Sequence, residues 1–216
     1  MRRSSLVLVV SLALTAASSG QSRLPPDIHP ESLSRVPPVQ RTDLDEDGRR
    51  IWDAIAGSGR PLPKTGPAAV TMHSPKAAEP IHLLNQALRK TVVGPRFFEL
   101  SALIAAREFD QQYEWSGHEP AALRAGLEQP VIDVVKFNQD TTGLAEKDAT
   151  VIRLGRAIFR DHKVSSELWA RAEALFGRQG AVEITTIMGD YAMAAVFLIA
   201  VDQQLPPERT PLLPTR

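Results

Sequence analysis

The chain of 216 residues contains no cysteine. That absence excludes disulfides, thiolate nucleophiles, thiol redox cycling and a lipid anchor on sulfur, whatever compartment the protein occupies. Any chemistry must come from oxygen and nitrogen groups. A dominant charge is missing too, since 25 basic side chains face 25 acidic ones, and no basic cluster points to a nucleic-acid partner. No stretch alternates polar and apolar residues as a half-buried strand would. The long apolar stretch near the C-terminus is interrupted by Glu183 and Asp190, which marks it as a core helix rather than a membrane span.

The first twenty residues have their own logic. Arg2 and Arg3 precede an apolar run from Leu6 to Leu14, and the small residues Ala16 to Gly20 follow. A charged start, a short apolar run and a small-residue flank form a secretory signal, with cleavage expected after Ser18 or Gly20. The expected location is therefore periplasmic or secreted, with no stable membrane association once residues 1–20 are removed; an uncleaved anchor is the alternative. The remaining chain holds 23 basic against 25 acidic side chains.

Residues 21–41 are rich in proline (Pro25, Pro26, Pro30, Pro37, Pro38) and read as an extended arm, because proline continues neither a helix nor a central strand. Residues 206–216 have the same character and read as a tail lying on a neighbour or in solvent. The body between them, 42–205, shows apolar residues at helical spacing, as at Val151, Leu154, Ile158 and again at Ile184, Ile187, Tyr191, Leu198. Helices are expected near 44–57, 75–91, 95–109, 111–125, 130–138, 145–161, 165–177 and 180–203. Ser165 is a candidate N-cap, and Gly177 a candidate stop. The fold class is all-α, in one domain.

Asp43 to Gly48 begins like a calcium loop, but the twelfth position is Ala54 where a bidentate Glu would close the coordination sphere. An acidic helix start is the better reading.

Chemistry-bearing side chains concentrate between Phe98 and Pro120. On a helix through 111–125, Gln111, Glu114 and His118 fall at i, i+3 and i+7 and share a face, and Glu99 would approach from the preceding helix. A carboxylate one turn before an imidazole can fix its tautomer and raise its basicity. Spacing alone is weak, because Glu and His four residues apart are common on solvated surfaces. A metal site would have only Glu114 and His118, two ligands where zinc needs three or four protein ligands or ligands plus water, so neither metal nor other cofactor is expected.

Glu99, then Gln111, Glu114 and His118, resemble the reactive motif of the carboxymuconolactone decarboxylase and alkyl hydroperoxidase D-like superfamily, in which a Glu precedes Cys-x-x-Cys and a His. Gln111 and Glu114 stand at the two cysteine positions. Tyr113-Glu114-Trp115-Ser116-Gly117-His118 further resembles the Tyr-Glu-Trp-x-x-His signature of a cysteine-lacking branch. Gly66-Pro67, His73-Ser74-Pro75, Ala125-Gly126-Leu127 and Gly189-Asp190-Tyr191-Ala192-Met193 look like that branch in the same order. One departure stands out: Asp190 occupies a position where the branch often has His, which puts a second catalytic imidazole in doubt. His73 and His82 are weaker candidates for that role.

The resemblance implies an all-helical fold, a homo-oligomer (trimer or hexamer) and a cavity lined by the motif helix. It implies a cofactor-independent acid/base enzyme, a decarboxylase or lactone-directed lyase acting on a small carboxylated molecule. Glu114, His118 and Glu99 would be catalytic, and Gln111, Tyr113 and Tyr191 would bind substrate. The alternative is a non-catalytic exported binding protein that kept the scaffold after losing thiol peroxidase activity.

Overall fold

A computed structural model describes residues 24–57 and 59–214; the signal-like segment 1–20 lies outside them. Among the described residues there are eight α-helices and no strand: α1 (Glu46–Ala56), α2 (Pro67–Thr71), α3 (Pro75–Leu88), α4 (Gly94–Glu108), α5 (Gln112–Arg124), α6 (Gln129–Lys136), α7 (Glu146–Arg156) and α8 (Ser166–Ala200).

The hydrophobic effect decides which helix sits in the middle. Every residue of α4 from Phe98 to Arg107 is buried, so this helix is covered on all sides, by α5, α6, α7 and α8. Leu100, Leu103 and Ile104 join Trp115, Ile132, Leu154, Ile184 and Met188 in the main core. A second cluster, with Phe98, Ala102, Ile187 and Tyr191, lies nearer the candidate site. Close approach at the centre depends on Gly155: a Cβ there would come within 2.4 Å of Ile104 Cγ2 and 3.2 Å of Met188 Cε, so any larger residue would hold α7 away from α4.

Local chemistry sets the helix ends. Asp45, from the calcium-like stretch, caps α1 by accepting a hydrogen bond from Gly48 N. Ser165 Oγ accepts from Leu168 N at the start of α8. Gly177 has φ 71° and ψ 164°, a non-helical conformation that splits α8 into two segments, as the two separate expectations for 165–177 and 180–203 require. The segment after the break is long and apolar enough by composition to cross a membrane, but Ile184, Ile187, Met188, Tyr191 and Leu198 are buried where the helix packs on α3, α4 and α7.

Two expectations need correction. The five-residue α2 was not anticipated; it is too short for a periodic signal, and its marker is Pro67 at its first turn. The C-terminal tail does not point away. Leu213 is buried, its N–H donates to Gln112 Oε1 and its carbonyl accepts from Gln112 Nε2, and Ser116 Oγ donates to Thr210 O. The tail is thus a strap along α5, held because one leucine finds the core and one amide side chain satisfies both of its backbone groups.

Candidate functional site

The site is built at the turn from α4 into α5. Asp110 adopts a left-handed conformation (φ 49°), the chain reverses, and Gln111 becomes the N-cap of α5, its side chain accepting from Tyr113 N. Here the structure departs from the expected helical register. Gln111 precedes the helix and spends its side-chain oxygen on the cap, so it does not line the cavity with Glu114 and His118. A polar residue before a helix is read equally well as a cap or as the first turn, and only the backbone decides.

Glu114, in the first turn of α5, and His118 one turn later do share a face, and α4 brings Glu99 to the other side of the imidazole. His118 Nδ1 lies 2.6 Å from Glu99 Oε2, and His118 Nε2 lies 3.5 Å from Glu114 Oε2. The first is a strong hydrogen bond; the second is at the outer limit of one. Both carboxyl groups are nearly excluded from solvent, Glu99 at 7% and Glu114 at 5% exposure, an arrangement that only a shared proton or cation makes tolerable. Burial disfavours a charged imidazole, but the hydrogen bonds and charges of Glu114 and Glu99 outweigh it and push His118 up to about 9. Near neutral pH the side chain is an imidazolium between two carboxyl groups.

One valence in this array is unmet. Glu114 Oε1 is buried and, among the described residues, has no hydrogen-bond partner. Native structures leave few such atoms, and they concentrate where a ligand or a functional strain belongs.

Glu99, Glu114 and His118 open onto a cavity of about 480 Å³, bounded by α2, α3, α5, α8 and the strap. This is within the usual range for small-molecule sites. Tyr113 and Tyr191 both line it. The Tyr191 ring stands edge-on to His118 with centroids 4.6 Å apart, and burial raises its phenol well above the ordinary value. Burial also raises Tyr113, against the opposing hydrogen bond with Thr65 Oγ1 at 2.9 Å. Tyr113 has its place because Gly66, with φ 86°, carries no side chain: a Cβ there would lie 2.4 Å from the phenol oxygen.

Sequence reasoning left out several residues that face this cavity. Asp190 was noted only as a departure from the superfamily pattern. It is buried, accepts a hydrogen bond from Asn85 Nδ2 at 2.8 Å, and its carboxyl is held above the usual range by burial, with Glu114 adding to the shift and Asn85 opposing it. Arg89 donates to Asn85 Oδ1 and to Tyr191 Oη. Asn85 on α3 and Arg89, the C-cap of that helix, are four residues apart, a spacing that could have drawn attention; Arg209, on the strap, gave no signal. Of the two weaker histidines, His82 lines the cavity, whereas His73 Nε2 bonds Pro37 O and ties down the N-terminal arm.

No protein-family model matches the chain, and no curated protein matches it in sequence. Solved structures do share its fold. An alkylhydroperoxidase AhpD-core protein from Ralstonia eutropha, described as peroxidase-related, superposes with a TM-score of 0.60 at 18% identity, over 83% of this chain and 95% of its own. A protein of unknown function from Agrobacterium tumefaciens, described as an AhpD of antioxidant defence, gives 0.58 at 17% identity over 64% and 96%. The debrominase Bmp8 in complex with 2,3,4-tribromopyrrole gives 0.57 at 17% identity over 80% and 91%. The fold is of the alkyl hydroperoxidase D-like type, in a chain without cysteine. Identities this low carry the fold and not the reaction.

Proposed function

We propose that the protein is a cofactor-independent acid/base enzyme acting on a small carboxylated or lactone-containing molecule, with Glu99, Glu114 and His118 handling the proton. The observation that carries this reading is the buried Glu99–His118–Glu114 array, which lines a ligand-sized cavity and in which one buried carboxyl oxygen has no partner among the described residues. A solvated Glu/His pair would have neither the burial nor the unmet valence.

In a decarboxylation, the bond from the substrate carbon to its carboxylate breaks and its electron pair passes to a delocalised enolate or its equivalent as CO2 leaves. The imidazolium of His118, oriented by Glu99 at Nδ1, returns a proton to that carbon from Nε2. A proton taken up from solvent, passed through Glu114, then restores the imidazolium, so that one proton is consumed for each CO2 released. Tyr113 and Tyr191, whose phenols stay protonated, would donate hydrogen bonds to the developing enolate oxygen. A debrominase of this fold holds a small unsaturated ring, which supports a substrate of comparable size here.

The same cavity, closed on one side by the strap, would also suit a non-catalytic exported binding protein. Turnover separates the two. Protein stripped of metal and assayed against a panel of small β-keto acids and unsaturated lactone acids should release CO2 or open the lactone, and His118→Ala should abolish this. Tight binding of panel members without turnover would favour the binding protein.

We further propose export directed by residues 1–20, and a trimeric or hexameric homo-oligomer. The exposed Val182, Val196 and Ile199 on α8 and Leu83 on α3 support self-association. An N-terminus near Ser19 or Gln21 in protein from the native host, and light scattering on the purified protein, test these two points.

A further inference from the structure

The cavity holds three carboxyl groups, on Glu99, Glu114 and Asp190, and two guanidinium groups, on Arg89 and Arg209. The His118 imidazolium is flanked by Glu99 and Glu114, so the guanidinium side is the better place for the charge of an anionic substrate. Arg89 is already engaged: it donates to Asn85 and Tyr191 and lies over the Phe98 ring. Arg209 is different. Its guanidinium rests 4.7 Å above the Tyr113 ring centroid and makes one long contact, 3.5 Å, to Tyr113 O. Among the described residues it forms no ion pair.

The guanidinium packs against α5 at Gly117, with Nη1 3.7 Å from where a Cβ would sit, an ordinary van der Waals contact. Gly117 and Tyr113 are one turn apart on α5, immediately beside His118. The strap holds Arg209 there through the two Gln112 bonds to Leu213, the Ser116 bond to Thr210, and Arg107 Nη1 donating to Pro214 O. An arginine fixed at a cavity wall by three anchored neighbours, with most of its five donors unspent, is built to receive a planar anion.

We propose that Arg209 is a specificity-determining residue that binds the substrate carboxylate, so that the C-terminal strap is part of the site. This rests on the acid/base reading above, which supplies the carboxylated substrate. The carboxylate held by Arg209 would be one that the reaction does not remove, with the reacting carbon turned toward His118 and Glu114.

The test uses a charged probe and its neutral counterpart, 4-hydroxybenzoate and 4-hydroxybenzamide, titrated by calorimetry into the full chain. The wild-type protein should bind the acid about 10- to 100-fold more tightly than the amide, the advantage of a charge-assisted hydrogen bond. Arg209→Gln should bring the ratio close to one, Arg209→Lys should keep part of it, and Leu213→Ala, which loosens the strap without touching the guanidinium, should weaken it. His118→Gln should lower the ratio less than Arg209→Gln does. Equal binding of acid and amide by the wild type, no binding of the acid at all, or a preference that survives Arg209→Gln would each overturn the inference. A preference lost in His118→Gln but kept in Arg209→Gln would give the anion to the imidazolium instead. None of these binding results bears on turnover, and loss of turnover in His118→Ala tests the acid/base reading on its own.

Discussion

Helix α5 carries two buried glutamates, one on each side, and they have different fates. Glu119 takes the indole N–H of Trp115 on one oxygen and Lys136 Nζ, at 2.8 Å, on the other, and the ammonium also lies 5.8 Å from the Trp115 ring centroid. Both oxygens of Glu119 are used. Glu114 faces His118 with one oxygen and, among the described residues, leaves the other without a partner, in a side chain that lines the cavity. Sequence spacing is the same in both, a polar partner four residues away, and so is burial. What distinguishes a structural cluster from a chemical one is therefore neither spacing nor burial but unmet hydrogen-bonding capacity next to space for a ligand.

The largest expected difference between the two faces is in turnover. His118→Ala and Glu114→Gln should each lower it about 100- to 10,000-fold, the range for lost acid/base catalysis, with the double variant little worse than either because the two act as one unit. Glu119→Gln should stay near the wild-type rate. Additive losses, or a Glu119 variant as impaired as His118→Ala, would erase the distinction.

Stability should show the reverse. Glu119→Ala strands the Lys136 ammonium, whose side chain is only 12% exposed, and should cost about 3–5 kcal/mol in urea denaturation.

The third contrast is in pH dependence. Folded His118 keeps its proton up to about pH 9, while an unfolded histidine loses it near its ordinary value of 6.5. The native state binds the extra proton between those values, so its stability is fully present below the lower one and falls as pH rises through the upper. The slope should be at most about 1.4 kcal/mol per pH unit. Melting curves of wild type and His118→Gln across this window should differ in slope, and parallel curves would mean the imidazole is not held charged.

The smallest effect belongs to a residue outside both clusters. Gly66→Ala places a Cβ at positive φ and against the Tyr113 hydroxyl, which should cost about 1–3 kcal/mol and disturb the cavity face while leaving the Glu119 face unchanged.

The helices were largely legible in the sequence because apolar spacing, Ser165 and Gly177 act locally. So was the pairing of Glu114 with His118, which needs only one helical turn. Glu99 was reachable through the superfamily resemblance, since α4 and α5 are adjacent in the chain. Gln111 was misplaced because capping and first-turn positions differ by one backbone rotation. Arg209 and Asn85 could not be read: they arrive from the strap and from α3, and only long-range packing brings them to the cavity.

Gln203 shows what such packing does for the whole molecule. Its amide oxygen accepts from Gly66 N and its amide nitrogen reaches Ser32 O and Leu33 O, while Gln204 N donates to Leu33 O and Arg35 N to Val201 O. One side chain thereby turns three sequence-distant loops into a single cooperative opening unit. The N-terminal arm, the bend that makes room for Tyr113 and the exit from α8 should exchange their amide hydrogens together rather than fray one by one, so that loosening of the arm is felt at the cavity floor.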